Sequence, residues 1–226
     1  MKSLAEFIFL FYLRIKVALF RAREEKKVKR ILHPLSSFAS IDILLKKAYH
    51  RLNAYTICKE YLQEKGFSNI HAYGETPLTE LFSFLKLCKV SANDHFIDLG
   101  CGRGRVAFFV HSHFNCPVTG IDCVPRFITL ANQLASTLSN SPSFVCKDMQ
   151  TTDLSCATII YFYALCLEEF DFSNMVRKFT TLKKGTKIIT VSEDLQTYSP
   201  LFKTLASQTA SFPWGKGEFF LNELIN

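Results

Sequence analysis

The sequence lacks the signatures of a metal-binding, disulfide-bonded or membrane-spanning protein. Its eight cysteines include no C-x-x-C pair, and no Cys/His cluster has zinc-finger spacing. They are scattered through apolar segments, where a free cysteine behaves as a small hydrophobic residue. No apolar run reaches the roughly 20 residues that cross a bilayer. We therefore expect a chain from a reducing, cytoplasmic compartment, with no metal site and no disulfide framework.

Most of the chain has no excess of basic residues, although the formal net charge of the whole chain is +7. Residues 1–30 contain nine Lys and Arg against three acids, a balance of +6, which leaves +1 for all other residues together. A basic surface for nucleic acid over the globular part is therefore not expected.

The basic N-terminal segment also contains an apolar run, Leu4–Leu13, followed by Arg14, Lys16 and a shorter apolar stretch. The run is about half the length of a bilayer span, and no A-x-A-like cleavage site follows it. Two interpretations stay open. The segment forms a helix on a membrane surface, with Arg21–Arg30 attracted to anionic lipid, or it packs on the domain before a solvated charged stretch.

Helices are predicted before the first strand, and strands and helices alternate after it. The early helices are expected at 41–65, with Ser40 as the cap, and at 77–89, with Thr76 as the cap. The later strands are expected at 95–99, 117–121, 143–146, 158–163 and 186–192, with helices at 104–114, 125–138 and 168–182. This alternation predicts an α/β fold with a parallel sheet.

The C-terminal part departs from this alternation. Segments 211–214 and 218–224 flank Gly215-Lys216-Gly217, which predicts an antiparallel hairpin. We expect residues 1–35 to form a separate N-terminal segment, and 36–226 to form one domain with a helical lead-in over 36–72.

The segment Asp98-Leu-Gly-Cys-Gly-Arg-Gly104 follows the first predicted strand. Gly100, Gly102 and Gly104 have no Cβ, so the backbone can approach a ligand closely, at the strand end where open parallel sheets bind ligands. The G-x-G-x-G spacing differs from the G-x-G-x-x-G of dinucleotide-binding proteins and argues against an NAD-dependent oxidoreductase. The carboxylate of Asp98 suits a cationic amine better than a phosphate.

Two more acids follow the next predicted strands. Asp122 ends Val-Thr-Gly-Ile-Asp and can accept hydrogen bonds from both hydroxyls of a ribose. Asp148 follows Phe-Val-Cys-Lys and can accept from an adenine amine, while the Met149 backbone can meet the ring. Aspartates also cap turns and helices, but three at successive strand ends favour a nucleoside cofactor.

In this order, the motifs DLGCGRG, GID and KDM resemble the cofactor motifs of class I S-adenosylmethionine-dependent methyltransferases. The resemblance extends from about Tyr73 to the C-terminus. It implies a Rossmann-like fold with a mostly parallel seven-stranded sheet, an antiparallel C-terminal hairpin and N-terminal helices. It also implies S-adenosylmethionine as the cofactor.

A narrower resemblance concerns Tyr73-Gly-Glu-Thr76, which is similar to a loop of the telomeric-silencing-type histone lysine methyltransferases. There the loop closes over the methionine end of the cofactor, which implies cofactor contacts for Tyr73, Glu75 and Thr76. Those enzymes have Asn-Asn at the end of the fourth strand, where this chain has Tyr163-Ala164. A tyrosine there resembles the small lysine methyltransferases that act on a membrane ATP-synthase subunit.

The resemblance implies methylation of a protein lysine, with Tyr163 orienting or partly deprotonating the acceptor. Tyr163 can equally belong to the core of its strand. Two other functions stay open: methylation of a small molecule or lipid, and cofactor binding without catalysis.

Overall fold

The computed structural model describes residues 4–163 and 169–226, which form helices around one sheet. The helices are α1 (Leu4–Ile31), α2 (Phe38–Ala48), α3 (Ala54–Glu64), α4 (Leu78–Cys88), α5 (Arg105–Phe114), α6 (Pro125–Ala135) and α7 (Glu169–Phe179). The strands are β1 (Phe96–Leu99), β2 (Val118–Asp122), β3 (Ser143–Cys146), β4 (Ile159–Phe162), β5 (Lys187–Val191), β6 (Phe202–Phe212) and β7 (Gly215–Leu224).

The sheet has seven strands in the order β3-β2-β1-β4-β5-β7-β6, which confirms the predicted fold class. Strands β1 to β5 are parallel, and β7 runs antiparallel between β5 and β6. The chain leaves β1 toward β2 on one side and returns to β4 on the other. The ends of β1 and β4 therefore form the switch point at which such sheets bind ligands.

Successive side chains of each strand point to opposite faces of the sheet and enter two different cores. In β1, Phe96 joins the core formed with α1 to α6, and Ile97 joins the core formed with α7. Both faces are covered, so β1, β4 and most of β5 are buried without an exposed alternation.

The helical lead-in differs from the prediction of one helix over 41–65. The chain forms α2 and α3, separated by a break at 49–53. The Asn53 side chain causes α3 to start anew, because it accepts hydrogen bonds from the backbone N–H groups of Tyr55 and Thr56. The predicted cap Ser40 lies inside α2, and its hydroxyl donates to the carbonyl of Ser37.

The C-terminal hairpin is confirmed, but its turn is elsewhere. The chain reverses at residues 213–214, and the predicted turn residue Gly217 lies within β7, opposite Ala210. A Cβ on Gly217 would lie 2.6 Å from Cη2 of Trp214 and 2.9 Å from Cε2 of Phe212. The glycine therefore makes room for two aromatic rings on the strand and does not form the turn.

Helices α1 and α7 meet the predictions in part. The predicted break at His33-Pro34 follows the end of α1 at Ile31 closely. The predicted start of the last helix, residue 168, lies outside the described residues, and α7 ends at Phe179, before the predicted 182. Within residues 4–163 and 169–226, no helix has both the length and the apolar character that crossing a membrane requires.

Candidate active site

The glycine loop between β1 and α5 depends on glycine for backbone conformation and for space. Gly100, Gly102 and Gly104 have φ values of +77°, +52° and +76°, in the left-handed region that side chains with a Cβ rarely adopt. A Cβ on Gly104 would lie 2.5 Å from Cε1 of Phe144, and one on Gly102 would lie 2.9 Å from Cε2 of Tyr73. The loop therefore leaves β1 in a shape that these glycines alone allow.

Asp98 lies at the end of β1 and is 2% exposed. The backbone N–H of Ala107 donates to its carboxylate, but Oδ2 has no hydrogen-bond partner among the described residues. Burial, and secondarily the charge of Asp122, raise the pKa of Asp98 to about 7. A buried carboxylate with a free oxygen is costly unless a cation joins it, so this position is suited to binding a cationic group.

The register of the sheet places two tyrosines beside Asp98. Tyr161 of β4 is paired with Asp98 of β1, and side chains two residues apart on a strand share a face, so Tyr163 follows on the same side. All three line a small cavity of about 40 Å³. A cavity needs about 10–15 Å³ of such volume to hold one water molecule, so this one has room for a few waters.

Residues 73–76, which we call the lid, close this cavity from above. The Tyr73 ring lies over Gly102, and its hydroxyl donates to Glu75 at 2.8 Å. The other carboxylate oxygen of Glu75 accepts from Arg103 of the glycine loop, also at 2.8 Å. Burial raises the pKa of Glu75, but the adjacent Arg103 guanidinium outweighs it and gives a net lowering. The lid is thus held on the glycine loop by a charged hydrogen bond.

Arg103 is a residue that the sequence analysis did not select. Its guanidinium pairs with Glu75 and lies over the ring of Tyr49, 5.2 Å from the centroid, while its Nε has no partner within the described part of the chain. Its position between two loop glycines was a signal. Its partner Glu75 lies 28 residues earlier in the sequence, and local sequence patterns do not predict a contact over that separation.

Thr76 does not cap α4, contrary to the prediction. Pro77 occupies the N-cap position without a side-chain hydrogen bond. The Thr76 hydroxyl instead shares a hydrogen bond with the Tyr161 hydroxyl, 2.5 Å away. Since Tyr161 belongs to β4, this hydrogen bond fastens the lid to the sheet.

Asp122 lies at the end of β2 and holds the glycine loop in place. Its two oxygens accept from the backbone N–H groups of Gly102 and Val124, each at 2.8 Å. Burial raises its pKa, while those two hydrogen bonds oppose the rise. An ionised carboxylate has about four acceptor positions, so about two remain for a ligand.

Asp148 and Met149 line a larger cleft together with Asp122. The cleft has a volume of about 1310 Å³ and lies beyond the glycine loop, on the side of β2 and β3. Asp148 is exposed, and its Oδ1 accepts from the backbone N–H of Gln150. The Met149 methyl group lies 3.7 Å from the position of a Cβ on Gly100. The structure thus brings Asp148 and Met149 together with Asp122 along one cleft.

Tyr163 lies between the small cavity and the C-terminal hairpin. Its hydroxyl accepts from Nε1 of Trp214 at 3.0 Å, and its ring stacks on Phe212 with centroids 5.9 Å apart. Trp214 is 49% exposed, so this pair lies where the cavity meets the surface. The neighbour Ala164, which the sequence analysis compared with an asparagine, lies outside the described residues.

Residues 96–185 match the family model described as a methyltransferase domain. A histone-lysine N-methyltransferase specific for H3 lysine-79, from Dictyostelium discoideum, is 27% identical over 161 residues, which are 63% of this chain and 8% of that protein. A protein-lysine N-methyltransferase from Saccharolobus islandicus (strain REY15A) is 27% identical over 131 residues, which are 57% of this chain and 80% of that protein. The chain thus spans a small part of the first relative and most of the second.

Solved structures of methyltransferases share the fold. An RNA methyltransferase from Salinibacter ruber, in complex with S-adenosyl-L-homocysteine, has a TM-score of 0.55 at 20% identity, over 68% of this chain and 95% of that chain. The magnesium protoporphyrin IX methyltransferase from Synechocystis PCC 6803, with bound SAM, has a TM-score of 0.54 at 13% identity, over 76% of this chain and 97% of that chain. At these identities, the likeness concerns the fold alone.

Proposed function

We propose that the protein binds S-adenosylmethionine and methylates a lysine side chain of another protein, since residues 96–185 match the model of a methyltransferase domain. The observation that carries the proposal is the buried carboxylate of Asp98, which has an oxygen without a partner among the described residues and lines a cavity closed by the lid. S-adenosylmethionine has an ammonium group at its amino-acid end, which suits this oxygen.

The other contacts follow from the positions of the strand ends. Asp122 retains acceptor positions for ribose hydroxyls, and exposed Asp148 retains them for an adenine amine. Gly100, Gly102 and Gly104 let the cofactor approach the backbone, with Met149 on the base side. Tyr73, Glu75 and Thr76 enclose the amino-acid end. The small cavity has to widen for this, so the lid moves outward when the cofactor enters.

The cofactor supplies a methyl group on a positively charged sulfur. The chain supplies orientation, which can account for a large part of a rate enhancement. A lysine amine must be neutral to react, and a poorly solvated cavity lined by Tyr161 and Tyr163 lowers the pKa of such an amine. The Tyr163 hydroxyl, held by Trp214, can accept a hydrogen bond from the amine and direct its lone pair.

Two observations favour a protein lysine as the acceptor. Both relatives above are named lysine methyltransferases, and the chain beyond residue 30 carries a net charge of only +1, which does not favour nucleic acid. The alternatives are a small-molecule or lipid acceptor and a binding module without catalysis.

The cofactor is tested by calorimetry with S-adenosylmethionine and with NAD. We expect binding of the first and none of the second. Absence of S-adenosylmethionine binding would refute the proposal at its first step.

The acceptor is tested by incubating the protein and labelled S-adenosylmethionine with a cell lysate, which is then separated into protein, lipid and RNA. We expect label in protein, on lysine after hydrolysis. Label in lipid or RNA alone would overturn the lysine assignment and leave the cofactor assignment intact.

The role of Tyr163 is tested by Tyr163→Phe. Loss of the hydroxyl should lower turnover by about 10- to 100-fold and leave cofactor affinity nearly unchanged, because the hydroxyl acts on the acceptor. Tyr198→Phe is the matched control, since its hydroxyl donates to Glu193 at the surface. Equal turnover of the two variants would assign Tyr163 to the structural core.

A further inference from the structure

The first half of α1 exposes apolar side chains all around the helix. Six consecutive side chains, from Phe7 to Tyr12, are each between 38% and 65% exposed. Successive residues of an α-helix are about 100° apart, so six of them surround the axis. Soluble monomers rarely leave such a surface in water, and an apolar patch of this kind indicates a binding surface.

The second half of α1 fixes the helix on the domain. Glu24 accepts from the backbone N–H and the hydroxyl of Thr79 at 2.9 and 2.7 Å. Glu25 pairs with Arg105 at 2.7 Å and with Lys46. The exposed apolar half therefore belongs to a helix whose position is defined by buried contacts.

These contacts separate the charges of the helix. Glu24 and Glu25 face the domain, whereas the basic residues between positions 14 and 30 are all exposed. They are Arg14, Lys16, Arg21, Arg23, Lys26, Lys27, Lys29 and Arg30. Arg21 lies over the ring of Tyr55 and Lys27 pairs with Glu80 of the domain. The other six basic side chains make the outward surface basic along the second half of α1, whereas its first half is apolar.

We propose that α1 binds the surface of an anionic lipid bilayer. The apolar half enters the boundary between headgroups and acyl chains, and the basic side chains contact the anionic headgroups. The helix lies on the bilayer, since it is not of the kind that crosses one. A second copy of the chain fits less well, because it would bring two sets of exposed basic side chains together. The proposal does not depend on the methyltransferase activity.

The test is flotation of the full chain with phosphatidylcholine vesicles, with and without phosphatidylglycerol. We expect flotation with the anionic vesicles and its loss at high salt, which screens the basic side chains. The triple variant Phe7→Ser/Phe9→Ser/Phe11→Ser should bind at least about tenfold more weakly. The variant Lys26→Gln/Lys29→Gln/Arg30→Gln should show a similar loss, restricted to anionic vesicles.

The matched control is Ile43→Ser/Leu87→Ser/Leu205→Ser, which removes side chains that are 61%, 53% and 42% exposed elsewhere. It should float like the unaltered chain. Circular dichroism and thermal unfolding verify that each variant is folded.

Three results would overturn the proposal: no flotation of the unaltered chain, an equal loss in the control, or a dimer that depends on Phe7, Phe9 and Phe11 without vesicle binding. The last result would assign the surface to a second copy, and sedimentation over a range of concentrations would detect it.

Discussion

At the residue scale, burial of Asp98 destabilises the folded chain when the carboxyl is ionised, and it also gives the proposed site an acceptor for a cation. Its pKa is raised from 3.8 to about 7, chiefly by burial. The folded chain therefore binds this proton more tightly than the unfolded chain. Stability from this group is lost as the pH rises through about 7 and is regained as the pH falls from about 7 toward 3.8.

We predict that Asp98→Asn stabilises the protein at pH 8 and abolishes cofactor binding. The pKa shift corresponds to roughly 4 kcal/mol, and because the amide is itself polar and buried, a gain of about 2 kcal/mol is expected. At pH 5, where Asp98 is protonated, the gain should largely vanish. Urea unfolding at both pH values measures it, and a variant less stable at pH 8 would contradict this account of the burial.

Gly102 provides a second prediction at this scale. Gly102→Ala places a Cβ 2.9 Å from Cε2 of Tyr73 in addition to the backbone strain, so the lid should be displaced and cofactor affinity should fall at least about tenfold. Gly185→Ala has a similarly positive φ of +86° and no atom within 4 Å. This control should lose about 1 kcal/mol of stability and bind the cofactor normally. Calorimetry separates the two, and an equal loss of affinity would refute the steric role of Gly102.

At the element scale, a buried ion cluster joins the N-terminal helices to the glycine loop. Asp42 of α2 is fully buried and accepts from Arg105, at the start of α5, and from Lys46, at 2.9 and 2.6 Å. Burial raises the pKa of Asp42, but Arg105 and Lys46 outweigh it and lower the pKa from 3.8 to about 2. The stability from this group is present above about pH 4 and is lost as the pH falls through about 2.

We predict that Asp42→Asn destabilises the fold by about 3 kcal/mol at pH 7, because buried Arg105 loses its buried carboxylate and keeps only the half-exposed Glu25. The fall in stability between about pH 4 and 2 should become shallower. The exposed Glu64→Gln is the control and should leave the acid limb almost unchanged. Urea unfolding across this pH range measures both, and an unaltered acid limb in Asp42→Asn would exclude the cluster as its source.

Element boundaries show which local signals are decisive. The predicted strand 143–146 coincides with β3, where a short apolar run fixes both ends. The break between α2 and α3 was not predicted, because an asparagine in an amphipathic stretch can lie inside a helix or cap the start of a new one. Here Asn53 is a cap. Gly217 was predicted to form the turn, but it lies in β7 and makes room for the rings of Trp214 and Phe212.

At the scale of the whole molecule, the proposed site combines the lid, the ends of four strands and the C-terminal hairpin. Binding should therefore stabilise parts of the chain that are distant in sequence. We predict that S-adenosylhomocysteine, at about 100 times its dissociation constant, raises the free energy of unfolding by about 2.7 kcal/mol. Amide exchange should slow at residues 73–76 and 100–104, and much less in the edge strand β6.

Hydrogen–deuterium exchange with NAD in place of S-adenosylhomocysteine is the control and should show no change. Uniform slowing along the chain would indicate global stabilisation without closure of the lid, and no slowing would exclude binding in this cleft.

The sequence by itself determined the sheet class and the positions of three acids at the ends of strands. Apolar strands, glycines and aspartates at strand ends are local patterns, and the physics behind them acts over a few residues. Asp98, Asp122 and Asp148 were predicted for this reason. The same motifs predicted a methyltransferase, and residues 96–185 match the model of a methyltransferase domain.

Only the tertiary structure decided how those residues are held. The Glu75–Arg103 and Thr76–Tyr161 contacts join residues 28 and 85 positions apart. The orientation of α1 is also decided by the tertiary structure, since the sequence gives the number of its charged residues and not the side of the helix that faces the domain. Packing places Glu24 and Glu25 on the domain and leaves most of the basic side chains and the apolar first half exposed, because burial depends on the assembled chain.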